Sequence, residues 1–77
     1  MNQVTVLGNP YRTEPLDRAK VAPGALLYGK MARRAMRVVC LDGDDAVLRN
    51  IRHPNLLEAE PLQNVSGKYY HLVPASA

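Results

Sequence analysis

The turn sequence D-G-D-D at residues 42–45 constrains the fold of this chain more than any other feature, because it separates two short apolar runs. The runs are residues 38–41 and 46–51, and Asp-Gly between such runs is among the strongest signals for a tight β-hairpin. Both runs are nearly apolar on both faces, which is typical of strands in a barrel or a tightly curled sheet. The sequence therefore predicts a central hairpin with the rest of a small, mainly β domain built around it.

The chain has 77 residues, which is enough for one small domain. At this size folding hides only about 60% of the surface that the unfolded chain exposes, so the core must be small. With no Trp and no Phe, it must be built from aliphatic residues, with tyrosines closing its edges. A catalytic pocket of ordinary size would consume much of such a core, so we expect a protein that is not an enzyme and needs no cofactor.

Further strands are predicted on either side of the hairpin. Residues 25–28 follow a Pro-Gly turn, residues 56–62 alternate Leu and Ala with Glu, and residues 68–73 are rich in aromatic and β-branched side chains. Residues 64–67 have the composition of a turn. The segment 30–37 fits a loop followed by a strand, which we favour, and a helical turn is the alternative because its residues are good helix formers.

The first third of the chain predicts less regular structure. Residues 4–7 have the composition of an edge strand, and residues 11–23 contain two prolines and no sustained period. We therefore expect an extended arm at residues 1–23, in which a single helical turn could start near Pro15, with Asp17 favouring its first turn. The barrel domain would then cover residues 24–74, with a frayed tail at residues 75–77.

The order of these elements resembles the SH3-like barrel over residues 24–74, of the kind found in small phage or plasmid accessory proteins. A loop-rich first third is followed by a hairpin, a fourth strand, a short connector and a last strand. The resemblance implies four to five short antiparallel strands curled into a small barrel. The acidic and aromatic motifs with which SH3 domains hold proline-rich peptides are missing, Trp above all, so that ligand class is not implied.

Two patterns that suggest chemistry fail on spacing or environment. The acidic turn would need a Gly where Val47 stands and a Glu where His53 stands to be a calcium loop, so no metal site is expected. Cys40 with His53 or His71 would be the minimum for thiol catalysis. Cys40, however, lies in the most apolar run of the chain, where a thiol behaves as a small buried hydrophobe.

The compartment is inferred from the cysteine count and from the absence of targeting signals. A single cysteine excludes an internal disulfide, which fits a reducing cytoplasm. No apolar run approaches the roughly 20 residues of a membrane span, so we expect no membrane association.

The concentrated charge of the chain is basic and suggests a surface for a partner. Net charge is +3, and guanidinium groups bind phosphates in bidentate fashion. The candidate partner-binding residues are Lys30, Arg33, Arg34, Arg37, Arg49, Arg52, Tyr28 and Tyr69.

Two functions follow as hypotheses. In the favoured one, a phage- or plasmid-type regulator or inhibitor docks on a host protein, by strand addition at residues 4–21 or through exposed Tyr and Leu side chains. In the alternative, residues 30–37 bind nucleic acid.

Overall fold

The computed structural model describes residues 3–75 and contains one antiparallel sheet of seven strands. In chain order the elements are β1 (Gln3–Val6), β2 (Asn9–Glu14), a 3-10 turn (Arg18–Lys20), β3 (Leu26–Gly29), β4 (Ala35–Asp42), β5 (Asp45–Asn50), β6 (Leu57–Pro61), α1 (Leu62–Lys68) and β7 (Tyr69–Pro74). The strand order across the sheet is β1-β2-β7-β3-β4-β5-β6, and the sheet curls into a half-barrel. The predicted mainly β class is confirmed, with seven strands rather than four to five.

The central hairpin forms as expected. β4 and β5 pair up to Asp42 and Asp45, so Gly43 and Asp44 make a two-residue loop. Gly43 has φ 61°, a left-handed conformation that glycine adopts without steric cost. A β-bulge between Val38 and Cys40 shifts the register in the middle of β4, and side chains beyond it change face.

The expected N-terminal arm is instead part of the sheet. β2 lies between β1 and β7 and pairs with both, so residues 9–14 are an internal strand and are not free for strand addition. Pro10 is tolerated because it opposes Thr5 at the end of the strand, where its carbonyl still accepts a bond from the Ala75 amide (3.2 Å). The helical turn near Pro15 is present as the 3-10 turn, with the Asp17 side chain as its cap.

Two local predictions have opposite outcomes. Residues 64–67 were predicted to be a turn, which is wrong, because they belong to α1. Val65 in that helix is completely buried and packs in the same cluster as Leu62, three residues before it. The favoured interpretation of residues 30–37 is confirmed: a loop connects β3 to Ala35, where β4 begins. Of the frayed tail expected at residues 75–77, residues 76–77 lie outside the described residues, whereas the Ala75 amide donates to the Pro10 carbonyl (3.2 Å).

The main core lies on one face of the sheet, where α1 covers it. Its largest fully buried side chains are Leu27, Met36, Val38, Leu48 and Val65. Strand alternation directs Tyr28, Arg37 and Arg49 to the opposite face. The hairpin of β1 and β2 approaches that second face, and Val6 and Leu72 are buried there. Among residues 3–75 no helix is long and apolar enough to cross a membrane.

Candidate functional site

Three adjoining clefts on the second face of the sheet bring most of the predicted site residues together. The first, of about 320 Å³, is lined by Tyr28, Arg33, Arg34, Arg52 and His53 among others. The second, of about 460 Å³, shares Tyr28 and Arg33 with the first and adds Lys30 and Tyr70. The third, of about 300 Å³, shares Asn50 with the first and is lined by Arg37, Arg49, Leu7, Ile51 and Pro54.

The cations of these clefts form a surface that we call the basic belt. It consists of Lys30, Arg33, Arg34, Arg37, Arg49 and Arg52. Within residues 3–75, no Asp or Glu lines any of the three clefts. Because neighbouring carboxylates would neutralise these cations, their absence from the cleft linings leaves the five belt cations other than Arg34 attractive to anions.

The carboxylates of the chain lie elsewhere. Three of them, Asp42, Asp44 and Asp45, are at the turn of the central hairpin. Arg34 lines the first cleft, but among the described residues its Nη1 lies 2.9 Å from Glu58 Oε2, on the opposite face of the sheet, so its guanidinium is held away from the other belt cations. That pair is exposed and contributes little to stability, so an anionic ligand could compete for Arg34.

The loop between β3 and β4 positions Lys30 and Arg33. The Gly29 amide donates to the Arg34 carbonyl (2.9 Å), and the Arg33 amide donates to the Gly29 carbonyl (3.1 Å). The Lys30 amide donates to the Lys68 carbonyl (2.8 Å), which ties the loop to the end of α1. Arg33 has φ 54°, a left-handed conformation that is costly for a residue other than glycine, so the loop holds this side chain under some strain.

A single buried asparagine shapes the next part of the belt. Asn50 is only 5% exposed, and its Oδ1 accepts bonds from the amides of Arg52 (2.9 Å) and His53 (3.0 Å). The Asn50 amide itself donates to the Leu56 carbonyl (3.1 Å). These three bonds fix the loop after β5, and they place Arg52 and His53 beside the first cleft.

Arg37 and Arg49 form a like-charged pair. They are directly opposite each other on β4 and β5, both are exposed, and neither has an ion pair among the described residues. Like charges at directly opposed positions of an antiparallel pair are destabilising. The arrangement costs stability in the free protein, and a bound anion would relieve that cost.

The tyrosine expectations need one correction. Tyr69 was a candidate contact residue, but only 6% of it is exposed and it belongs to the core cluster, whereas Tyr70 is 37% exposed. Burial, and then the charges of Glu58 and Glu60, raise the pKa of Tyr69 above the 10.0 of a free tyrosine. Tyr69 is therefore a neutral core residue at ordinary pH, and Tyr70 takes the surface position.

Tyr28 and Tyr70 lie opposite each other on the paired strands β3 and β7. Both line the second cleft, and Lys30 Nζ lies 4.9 Å from the centre of the Tyr70 ring, within the range of a cation–π contact. Lys30 Nζ also donates to the Ser66 carbonyl (3.2 Å). The floor of this cleft is therefore an aromatic pair, of which one ring is covered by a cation.

The residues considered for catalysis are not brought together in these clefts. Cys40 was expected to be buried and is exposed, because the bulge after Val38 moves it to the uncovered face. His71 is buried with its Nε2 3.0 Å from the Asp17 carbonyl, and His53 lies in the first cleft. Within residues 3–75 no group of three or more His, Cys, Asp or Glu side chains could hold a metal ion.

Three residues that line the clefts were not among the predicted partner-binding residues: Asn50, His53 and Tyr70. The His-Pro-Asn sequence at residues 53–55 indicates a loop, but not that the loop would fold beside the turn of another hairpin. The alternation of Tyr69 and Tyr70 showed that one of them must be exposed. It could not show which, because the answer depends on the helix that precedes them.

A second exposed feature lies at the edge of the sheet. β6 has no neighbour beyond it, and its Leu57 is 54% exposed on the second face. Since the Leu56 carbonyl and the Leu62 amide bond towards β5 and its turn, alternation directs the backbone groups of Leu57 and Ala59 outwards. Glu58 and Glu60 lie on the opposite face, where they pair with Arg34 and Lys68.

Comparison of the chain with models of known protein families, with curated proteins and with solved structures finds no match. We therefore infer the function from the geometry of the clefts.

Proposed function

We propose that this protein is a non-enzymatic binding module that holds nucleic acid on its basic belt. The observation that carries the proposal is the lining of the three adjoining clefts, which contains six cations and no carboxylate among the described residues. Phosphate contacts by Lys and Arg supply most of the affinity in such complexes and do not require a deep pocket.

The belt has the composition that phosphate recognition requires. Five of its six cations are arginines, whose planar guanidinium groups form two parallel hydrogen bonds to one phosphate. The cations come from three separate segments, namely the loop before β4, β4 itself, and β5 with the loop after it. Basic side chains that served only to keep the surface hydrated would not need to come together from three separate segments.

A fluorescence anisotropy titration with a labelled oligonucleotide tests the proposal. If four of the six cations contact phosphates of a single strand, the plot of log affinity against log salt has a slope of about −3. The affinity then falls roughly fifty-fold between 50 and 200 mM salt. Absence of binding to any oligonucleotide at 50 mM salt would refute the proposal.

A matched pair of charge reversals separates the belt from general electrostatics. Arg33→Glu and Arg18→Glu change the net charge equally, but Arg18 lies on the 3-10 turn and lines none of the three clefts. We expect Arg33→Glu to weaken binding at least tenfold and Arg18→Glu to have a much smaller effect. Equal losses in the two variants would show that the belt is not the site.

The free edge of β6 favours a second candidate, docking on another protein. An extended segment of the partner would pair with the outward backbone groups of Leu57 and Ala59 and cover the Leu57 side chain. In this case the protein would act as a regulator or inhibitor of the phage or plasmid type, on an SH3-like barrel and in the cytoplasm. Ala59→Pro removes an outward N–H, so it should abolish capture of such a partner while oligonucleotide affinity stays unchanged.

A further inference from the structure

We infer that the belt takes a single strand of nucleic acid rather than a duplex, with phosphates on the arginines and a base on the Tyr28 and Tyr70 pair. This inference rests on the proposed function and adds the class of ligand. Its starting point is that the two rings lie inside the second cleft, on the same face as the cations.

The position of the two tyrosines is the first argument. Because Tyr28 and Tyr70 are directly opposed on antiparallel strands, their Cβ atoms are about 5 Å apart, and the rings form one continuous patch. Tyr28 also lines the first cleft, so the patch extends towards Arg33 and Arg52. Aromatic rings beside cations are how proteins hold unpaired bases, since every base can stack whatever its identity.

The shape of the belt is the second argument. The cations surround concave clefts that the β1–β2 hairpin helps to line, and no helix of residues 3–75 lies on this face to enter a major groove. A duplex keeps its bases stacked inside and would touch only the rim of such clefts with its backbone. A single strand can bend into the clefts and turn a base onto the tyrosines.

In the free protein a cation already occupies part of the aromatic pair. Lys30 covers the Tyr70 ring at 4.9 Å and is held there by the Ser66 carbonyl. Both contacts are exposed and weak, so an entering base can displace the Lys30 ammonium group from the ring. Because the lysine side chain is flexible, the displaced ammonium group can then bind a neighbouring phosphate. Lys30 therefore protects an exposed ring until a strand arrives.

The path of the strand follows from the shared residues of the clefts. The Arg37 and Arg49 pair lies at one end, the loop fixed by Asn50 is in the middle, and Lys30 is at the other end. Unpaired cations occur along this whole path, which suits a chain of phosphates better than one isolated anion.

Heparin serves as a polyanion without bases, to separate the effect of charge from the effect of base stacking.

The test compares four ligands at one salt concentration: a 12-nucleotide DNA strand, the same RNA strand, the DNA duplex and heparin. We expect one or both single strands to bind about tenfold more tightly than the duplex. Tyr70→Leu should lower that affinity about tenfold, and Tyr70→Phe, which keeps the ring, should restore it. Tyr11→Leu is the control, because Tyr11 lines none of the three clefts.

A second readout does not depend on the folding of any variant. The chain has four Tyr and no Trp, so its ultraviolet emission reports tyrosine alone. Stacking of a base should quench part of that emission when a single strand binds, and heparin should leave it unchanged.

The outcomes separate the two proposals. If the duplex binds as tightly as the single strands, or if Tyr70→Leu binds like the unchanged protein while Arg33→Glu does not, the single-strand inference is wrong and the proposed function stands. If none of the nucleic acids binds at low salt, both are wrong.

Discussion

The opposed Arg37 and Arg49 side chains offer a prediction in which stability and binding change in opposite directions. Favourable cross-strand pairs contribute between about 0.2 and 1 kcal/mol, and we take the repulsion between directly opposed like charges to lie in the same range. Because both side chains are exposed, solvent screening places this pair in the middle of that range or below, at about 0.5 kcal/mol. Arg37→Gln removes the repulsion and should raise the free energy of unfolding by that amount.

For a domain of this size, about 0.5 kcal/mol corresponds to an increase in Tm of roughly 2 to 4 °C. The gain should be present in low-salt buffer and should vanish near 1 M salt, where the Debye length is only about 3 Å. Arg49→Gln should give a similar gain, and the double variant should gain no more than either single one. Loss of one phosphate contact should also reduce the salt slope of oligonucleotide binding by about 0.7.

Thermal unfolding of the three variants at low and high salt, followed by circular dichroism, checks the stability half of this prediction. Anisotropy titration checks the binding half. A lower Tm for Arg37→Gln at low salt, or a gain that persists at 1 M salt, would refute the reasoning, because either result means that the pair does not repel in the folded protein. Additive gains in the double variant would lead to the same conclusion.

Three further predictions concern other parts of the fold. The turn Leu7-Gly8 has positive φ at both residues (49° and 82°), so Leu7→Asn should stabilise the protein by about 1 kcal/mol, seen as a higher Tm, whereas Leu7→Val should lower it. Since the pKa of Tyr69 is raised in the folded protein, the contribution of this group to stability is fully present below pH 10 and is lost as the pH rises through the raised pKa. In urea titrations at high pH, the free energy of unfolding of Tyr69→Phe should therefore fall less than that of the unchanged protein. Asn50→Ala leaves the Arg52 amide without its partner, so it should lower the free energy of unfolding by about 2 kcal/mol in the same assay. The same variant should also bind oligonucleotides more weakly.

The central hairpin could be predicted because all its determinants are local. The D-G turn and the two apolar runs lie within 14 residues, and a two-residue loop fixes the register next to the turn, although not the bulge between Val38 and Cys40. The strand at Tyr69–Pro74 was predictable for the same reason, since β-branched and aromatic residues end at a proline. Fold class followed from these elements.

The missed elements depend on contacts between distant residues. β2 contains Pro10, is followed directly by Pro15 and shows no clear alternation of polar and apolar residues. It is a strand because it lies between β1 and β7 and pairs with both. The Q-N-V-S-G sequence of α1 has poor helix formers, and the burial of Val65 stabilises the helix against that preference. Tertiary packing decided both cases.

The candidate site was predictable in composition but not in shape. Lys30, Arg33 and Arg34 lie close together in the sequence, so the presence of a basic segment was evident. That Arg52 approaches Arg33 from the end of another hairpin depends on the bonds made by Asn50, which no local pattern reveals. Tyr70 was passed over because its burial relative to Tyr69 depends on α1.

The separation of charge along the central hairpin has a consequence for the rate of association. Asp42 and Asp45 close the turn at one end of β4 and β5, and Arg37 and Arg49 lie five and four residues away, which is about 15 Å along the strands. This hairpin therefore carries a dipole with the clefts at its positive end, in a molecule whose net charge is only +3. In the field of a polyanion such a dipole turns before contact, so most collisions would present the belt first. Added salt would therefore lower the association rate constant by a larger factor than it raises the dissociation rate constant.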